Sequence, residues 1–176
     1  MTDIASAAPY RLAAVNELDA AEFAELLGGV FENSPWVAED AFASRPFASV
    51  DELHGRMLSV VLAAPRERQV AFLNAHPELA GRAHRSEVTR NSDEEQAGAG
   101  LNSLSTTDSA HLAELTGAYR ARHGYPFILA VRGLTTADIL EQLADRAGRE
   151  TAAEFETALG EIAKITRMRL ARLVVD

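Results

Sequence analysis

Apolar residues recur every three or four positions along nearly the whole chain, the spacing of helical faces and not the alternation of half-buried strands. In "AAEFAELLGGVF", Phe23, Leu26, Leu27 and Val30 fall on one face, and Asp19 stands where an N-cap belongs. Ser49 precedes "VDELHGRMLSVVLAA" in the same way, and Pro65 opens "PRERQVAFLNAH" at the helix position that best tolerates proline. A polar stretch then leads to "SDEEQAGAGLNSL". The next helix, "TTDSAHLAELTGAYRARHG", ends on Gly124 with Pro126 just beyond it, a common stop signal. "TTADILEQLADRAG" and "ETAAEFETALGEIAKITRMRLARLVV" complete the set. One strand-like run remains, "FILAV" at residues 127–131, too isolated to build a sheet. The pattern predicts an all-α fold: a single-domain bundle of about seven or eight helices over residues 18–176, behind an N-terminal segment of residues 1–17. No repeat or low-complexity linker divides it.

The last of these helices holds one position out of keeping with its face. Phe155, Leu159, Ile162, Thr166, Arg169 and Leu173 step by four and three residues, so they line up. Five of them suit a core; Arg169 does not. A guanidinium turned inward needs an anion or a route to water, because an isolated buried charge is very costly. It either snorkels or joins a structural ion pair, or it awaits a ligand carboxylate that its planar fork can grip with two bonds.

Two further stretches carry candidate chemistry. In "NSDEEQ", Ser92 and Glu95 have the spacing of a capping box, and the same first turn can offer free N–H groups to an anion or polar ligand. In "VAFLNAHPELAGR", Pro77 forces the chain out of its helix immediately after His76. That histidine is either a polar helix end or the chain's most natural proton donor or acceptor. None of His54, His76, His84, His111 and His123 forms an H-x-x-x-H pair, so a catalytic metal has little support. No G-x-S-x-G, P-loop or G-x-G-x-x-G pattern occurs either. "GGV" from Gly28 reads as close packing. "SPW" at residues 34–36 reads as a turn whose tryptophan, the only one, wedges against the core.

Composition narrows the function classes. With 47% hydrophobic and 24% charged residues among 176, the chain is an ordinary globular sequence long enough to bury a sizeable core. A formal net charge of −9 makes nucleic acid and anionic membranes unsuitable partners. The lack of cysteine excludes disulfides, thiolate chemistry and cysteine–zinc sites. No apolar run approaches the roughly 20 residues of a membrane span. "MTDIASAAPYRLAAVNELD" lacks the marks of a signal peptide, and "ARLVVD" carries no sorting tripeptide. A cytoplasmic protein is expected.

Taken together and in order, "FENSPWVAEDAFASRPF", "HPELAG", "SDEEQAGAGL", "YRARHGYPFILAVRG" and "EIAKITRMRL" resemble the OHCU decarboxylase family, which acts on 2-oxo-4-hydroxy-4-carboxy-5-ureidoimidazoline. The resemblance runs from about residue 18 onward. It departs from the family pattern at Thr116-Gly117, where an asparagine is usual, and at His123-Gly124-Tyr125. It implies an all-helical homodimer that decarboxylates a small anionic ureidoimidazoline to (S)-allantoin in urate degradation, with no cofactor and no metal. By motif, His76 becomes the acid/base, and Glu95 and Arg169 join it in catalysis. Pro77, Ser92, Asp93, Glu94 and Gln96 become substrate-binding, together with the backbone of Phe127, Ile128, Leu129, Ala130 and Val131. Two alternatives remain: a hydrolase or lyase on a related ureido compound, and a non-catalytic helical module that binds a partner through its last helix. The second requires an exposed Arg169.

Overall fold

Four of the described helices begin where a side chain takes up the orphan N–H groups of the first turn. Asp19 accepts from the Ala21 and Glu22 amides, and Glu22 returns a bond to the Asp19 amide, a complete capping box. Ser49, Ser105 and Thr135 cap in the same manner. In the computed structural model, which describes residues 9–79, 95–96, 99, 101 and 104–176, these caps help define eight α-helices among the described residues. They are α1 (Leu12–Glu17), α2 (Ala20–Leu27), α3 (Trp36–Ala41), α4 (Val50–Ala63), α5 (Arg66–Asn74), α6 (Thr106–His123), α7 (Thr136–Ala147) and α8 (Thr151–Leu173). The expected all-α class is borne out.

Three local expectations change. The helix expected through Phe31 stops at Leu27, because the chain turns at Gly28. A Cβ there would lie 2.5 Å from the Ala24 carbonyl oxygen and 3.3 Å from the Pro35 Cβ, so the close packing read from "GGV" holds at Gly28. Residues 127–131 form neither helix nor strand. Instead two short strands that periodicity did not reveal, β1 (Tyr10–Arg11) and β2 (Val174–Val175), pair in parallel. Trp36 is half-buried and serves as a platform, with the Arg68 guanidinium 3.7 Å above its ring.

The chain groups into two compact units, Met1–Gln69 with Ala163–Asp176, and Val70–Ile162. In the first, α2 packs on α3 and α3 on α4, burying Phe23, Leu27, Val37, Leu53, Met57 and Val61. His54 on α4 is buried there too. Its Nε2 meets Thr166 Oγ1 at 2.9 Å, and its ring lies along Phe31. Burial and, next, the positive charge of Arg167 hold its pKa below the ordinary 6.5, against the opposing pull of Asp51 and the Ala163 carbonyl. The unfolded chain therefore takes up this proton at higher pH than the native one. His54 thus contributes stability that is full above about pH 6.5 and is lost as the pH falls toward its depressed native value. Thermal melts of wild type and His54→Gln between pH 5 and 8 test this: the wild type should lose melting temperature more steeply on the acid side. Parallel curves would refute it.

In the second unit, α6 and α7 pack together with the first part of α8. Leu112, Tyr119, Tyr125, Phe127, Ile139, Leu143 and Phe155 form its core, with Tyr119 edge-on to Phe127 at 5.1 Å. Gly124, at φ 83°, closes α6 in the left-handed conformation that glycine adopts without strain. No described helix is long and apolar enough to cross a membrane.

Candidate active site

The end of α5 sets the first part of the site. Ala75 N–H still reaches the Ala71 carbonyl at 3.0 Å, but His76 N–H turns back to Leu73 at 3.2 Å, the tighter closure usual at helix ends. Pro77 has no N–H to continue the ladder. The half-buried imidazole therefore stands at a corner, and the residues flanking it fix that corner. Asn74 donates to the Gly124 carbonyl at 3.0 Å and accepts from Arg120 at 3.2 Å; Arg120 also pairs with Glu78 at 2.9 Å. From the other direction the Gln96 amide donates to the Glu78 carbonyl at 3.2 Å. These bonds bring the neighbourhoods of His76, Pro77 and Gln96 together, with half-buried Glu95 next to Gln96 in the chain. Ser92, Asp93 and Glu94, and with them the expected capping box, lie outside the described residues.

Residues 127–131 make a buried segment without regular structure. Two of its peptide groups are held by charged side chains from neighbouring helices. Arg146 on α7 donates through Nη1 to the Ile128 carbonyl at 3.0 Å, and Glu161 on α8 accepts the Ala130 N–H at 2.9 Å. Among the described residues, the N–H groups of Phe127, Ile128, Leu129 and Val131 have no hydrogen-bond acceptor. Buried amides of this kind are uncommon in folded proteins and form a natural contact strip for a polar ligand.

Arg146 is itself fixed, with its side chain only 3% exposed. Its Nε and Nη2 donate to Glu154 Oε1 at 2.8 and 2.6 Å, and Tyr119 donates to the same oxygen at 2.6 Å. Burial first, and then the bond to Glu154, push the Tyr119 pKa far up, so the phenol keeps the proton it donates. Glu154 Oε2 has no hydrogen bond among the described residues, with Arg149 Nη1 4.0 Å away.

In the other unit, Arg169 is buried with 3% of its surface exposed, and Thr166 is buried too; Phe155, Leu159 and Ile162, earlier on the same helical face, are buried in the second unit. Exposure of Arg169, which the partner-binding alternative required, is not found. Its guanidinium pairs with the buried carboxylate of Glu32. Glu32 sits in the turn after α2 at φ 55°, a conformation that costs a non-glycine residue energy and persists only where its surroundings impose it.

Sequence reasoning missed Glu32, Arg146, Glu154 and Glu161. Glu154 and Glu161 had a usable signal, since acids seven apart beside Phe155 and Ile162 share the edge of the buried face. Glu32 had none, because a turn residue carries no periodicity. No cluster of three or more His, Asp or Glu suited to a metal ion occurs among the described residues.

Comparison with known proteins covers nearly the whole chain. The family profile of OHCU decarboxylase matches residues 16–171. A 2-oxo-4-hydroxy-4-carboxy-5-ureidoimidazoline decarboxylase from Haloferax volcanii is 43% identical over 157 residues, 89% of this chain and 92% of the relative. Among solved structures, an (S)-allantoin synthase superposes with a TM-score of 0.75 at 29% identity, covering 96% of this chain and 54% of that one. An OHCU decarboxylase crystallised in the presence of (S)-allantoin gives 0.66 at 25% identity, covering 82% of this chain and 94% of that one.

Proposed function

The chain belongs to the OHCU decarboxylase family, and from that premise we propose that it decarboxylates 2-oxo-4-hydroxy-4-carboxy-5-ureidoimidazoline to (S)-allantoin in urate degradation, without a cofactor. The observation that carries this reading is the likeness to the Haloferax volcanii decarboxylase along almost the full length of both chains.

The chemistry asks little of a protein beyond placement. When the bond between the ring and its carboxylate breaks, the electron pair passes into the adjacent imine, so the substrate holds its own electron sink. Carbon dioxide leaves, the hydroxyl-bearing carbon it departs from becomes the carbonyl, and a proton added to one face of the neighbouring ureido-bearing carbon fixes the hand of the product. What the protein supplies is orientation, fixed dipoles and that proton. In this reading His76 delivers it, and the Pro77 corner aims the imidazole. Glu95 favours the protonated ring, while Gln96, the 127–131 backbone and the region of Ser92, Asp93 and Glu94 hold the polar ring and ureido group. Arg169 takes an anionic group. The reading includes a homodimer, drawn from the family resemblance, and a cytoplasmic location, drawn from the sequence.

Because the substrate also decays spontaneously, the decisive assay follows handedness. Urate is oxidised and its first product hydrolysed in a cuvette, and circular dichroism is recorded with and without this protein. An optically active (S) product forming faster than the racemic background is expected. A racemic product at the background rate, or release of ammonia or urea in place of carbon dioxide, would overturn the proposal.

A further inference from the structure

We propose that Arg146 and Glu161 are positioning residues for substrate binding: they hold the Ile128 carbonyl and the Ala130 N–H so that the Leu129 N–H and carbonyl are presented to the substrate. This rests on the reading above, in which residues 127–131 contact the ligand through their backbone. Three observations carry it. The Ile128 carbonyl shares a planar trans peptide with the Leu129 N–H, and the Ala130 N–H shares the next one with the Leu129 carbonyl, so each anchored group aims its Leu129 counterpart the opposite way. Both anchors are charged and buried, and hydrogen bonds to charged groups are stronger than neutral ones. The N–H groups of Phe127, Ile128, Leu129 and Val131 donate to nothing among the described residues. Arg146 cannot drift, because Glu154 binds two of its nitrogens and its guanidinium carbon lies 4.5 Å from the Phe127 ring centroid. A carbonyl held in one peptide and an N–H held in the next leave the two peptide planes on either side of Leu129 little freedom to rotate. A polar group bound there meets a donor and an acceptor that need no reorganisation.

The handle is Glu161. Glu161→Ala removes the acceptor, and Glu161→Asp keeps the charge but withdraws the oxygen by one methylene. Both should raise KM about tenfold or more while kcat changes much less, the signature of lost binding common to ground and transition states. Glu161→Gln, which still offers an oxygen to the Ala130 amide, should return KM to within about threefold of wild type. Arg146→Lys keeps a cation beside Glu154 but loses the fork that reaches Ile128, and should raise KM like Glu161→Asp. A purely structural role would lower melting temperature and active fraction in all four and leave KM alone. Should Glu161→Ala fail to fold, Glu161→Asp against Glu161→Gln decides the matter. A wild-type KM in folded Glu161→Asp and Arg146→Lys overturns the positioning role. Wild-type protein inactive in the chiral assay overturns the proposed function instead, so the two failures are separable.

Discussion

Replacing His76 with alanine is expected to lower turnover by about 10²- to 10⁴-fold, the usual weight of a general acid, while KM shifts only a few-fold. The corner should survive the change. It is fixed by the His76 N–H bond to Leu73, by Asn74 with Gly124 and Arg120, and by Gln96 with the Glu78 carbonyl, none of which uses the imidazole. Melting temperature, measured alongside, is the control for folding, and initial rates by circular dichroism are the measurement. Residual product should drift toward the racemic mixture as the spontaneous reaction takes over. Full turnover with an intact (S) excess in His76→Ala would remove the histidine from the proton step.

The second large effect belongs to Arg169, and it is double. Truncation to alanine removes a buried cationic partner of the Glu32 carboxylate, and breaking a buried pair in this way costs about 3–5 kcal/mol. At about 2–4 °C per kcal/mol for a chain of this size, that is a fall of roughly 6–20 °C in melting temperature. The proposed contact with an anionic group is lost as well, and at about 1.5–3 kcal/mol for a charged hydrogen bond the expected rise in KM is about 10- to 100-fold. The double variant Glu32→Gln/Arg169→Met separates the two, because replacing both charges with groups of similar volume leaves neither charge of the pair buried. It should recover most of the stability and none of the binding. If substrate binding returns with stability, Arg169 is a structural cation only.

The sequence and the structure agree most closely where periodicity speaks. The face of Phe155, Leu159, Ile162, Thr166 and Arg169 is buried as its spacing implied, and Asp19, Ser49, Ser105 and Thr135 cap the helices that follow them. Residues that act by reaching across the fold were harder to read. Nothing local announces that Glu161 takes the Ala130 amide 31 positions away, or that Glu32 meets Arg169 across 137. The strands at residues 10–11 and 174–175 are too short to alternate visibly, and "FILAV" has strand composition without a neighbouring strand to pair with. The corner at His76 was legible because proline leaves a covalent mark; the bonds that stiffen it were not.

Those bonds differ in how they answer to dissolved salt. The Arg120–Glu78 pair is about half exposed on both sides, so mobile ions weaken it over a few ångströms. The bonds from the Asn74 amide to the Gly124 carbonyl and from the Gln96 amide to the Glu78 carbonyl join uncharged groups and respond little to ionic strength. Brackets of this mixed kind keep their shape in brine as in dilute buffer, since the uncharged half persists when the charged half fades.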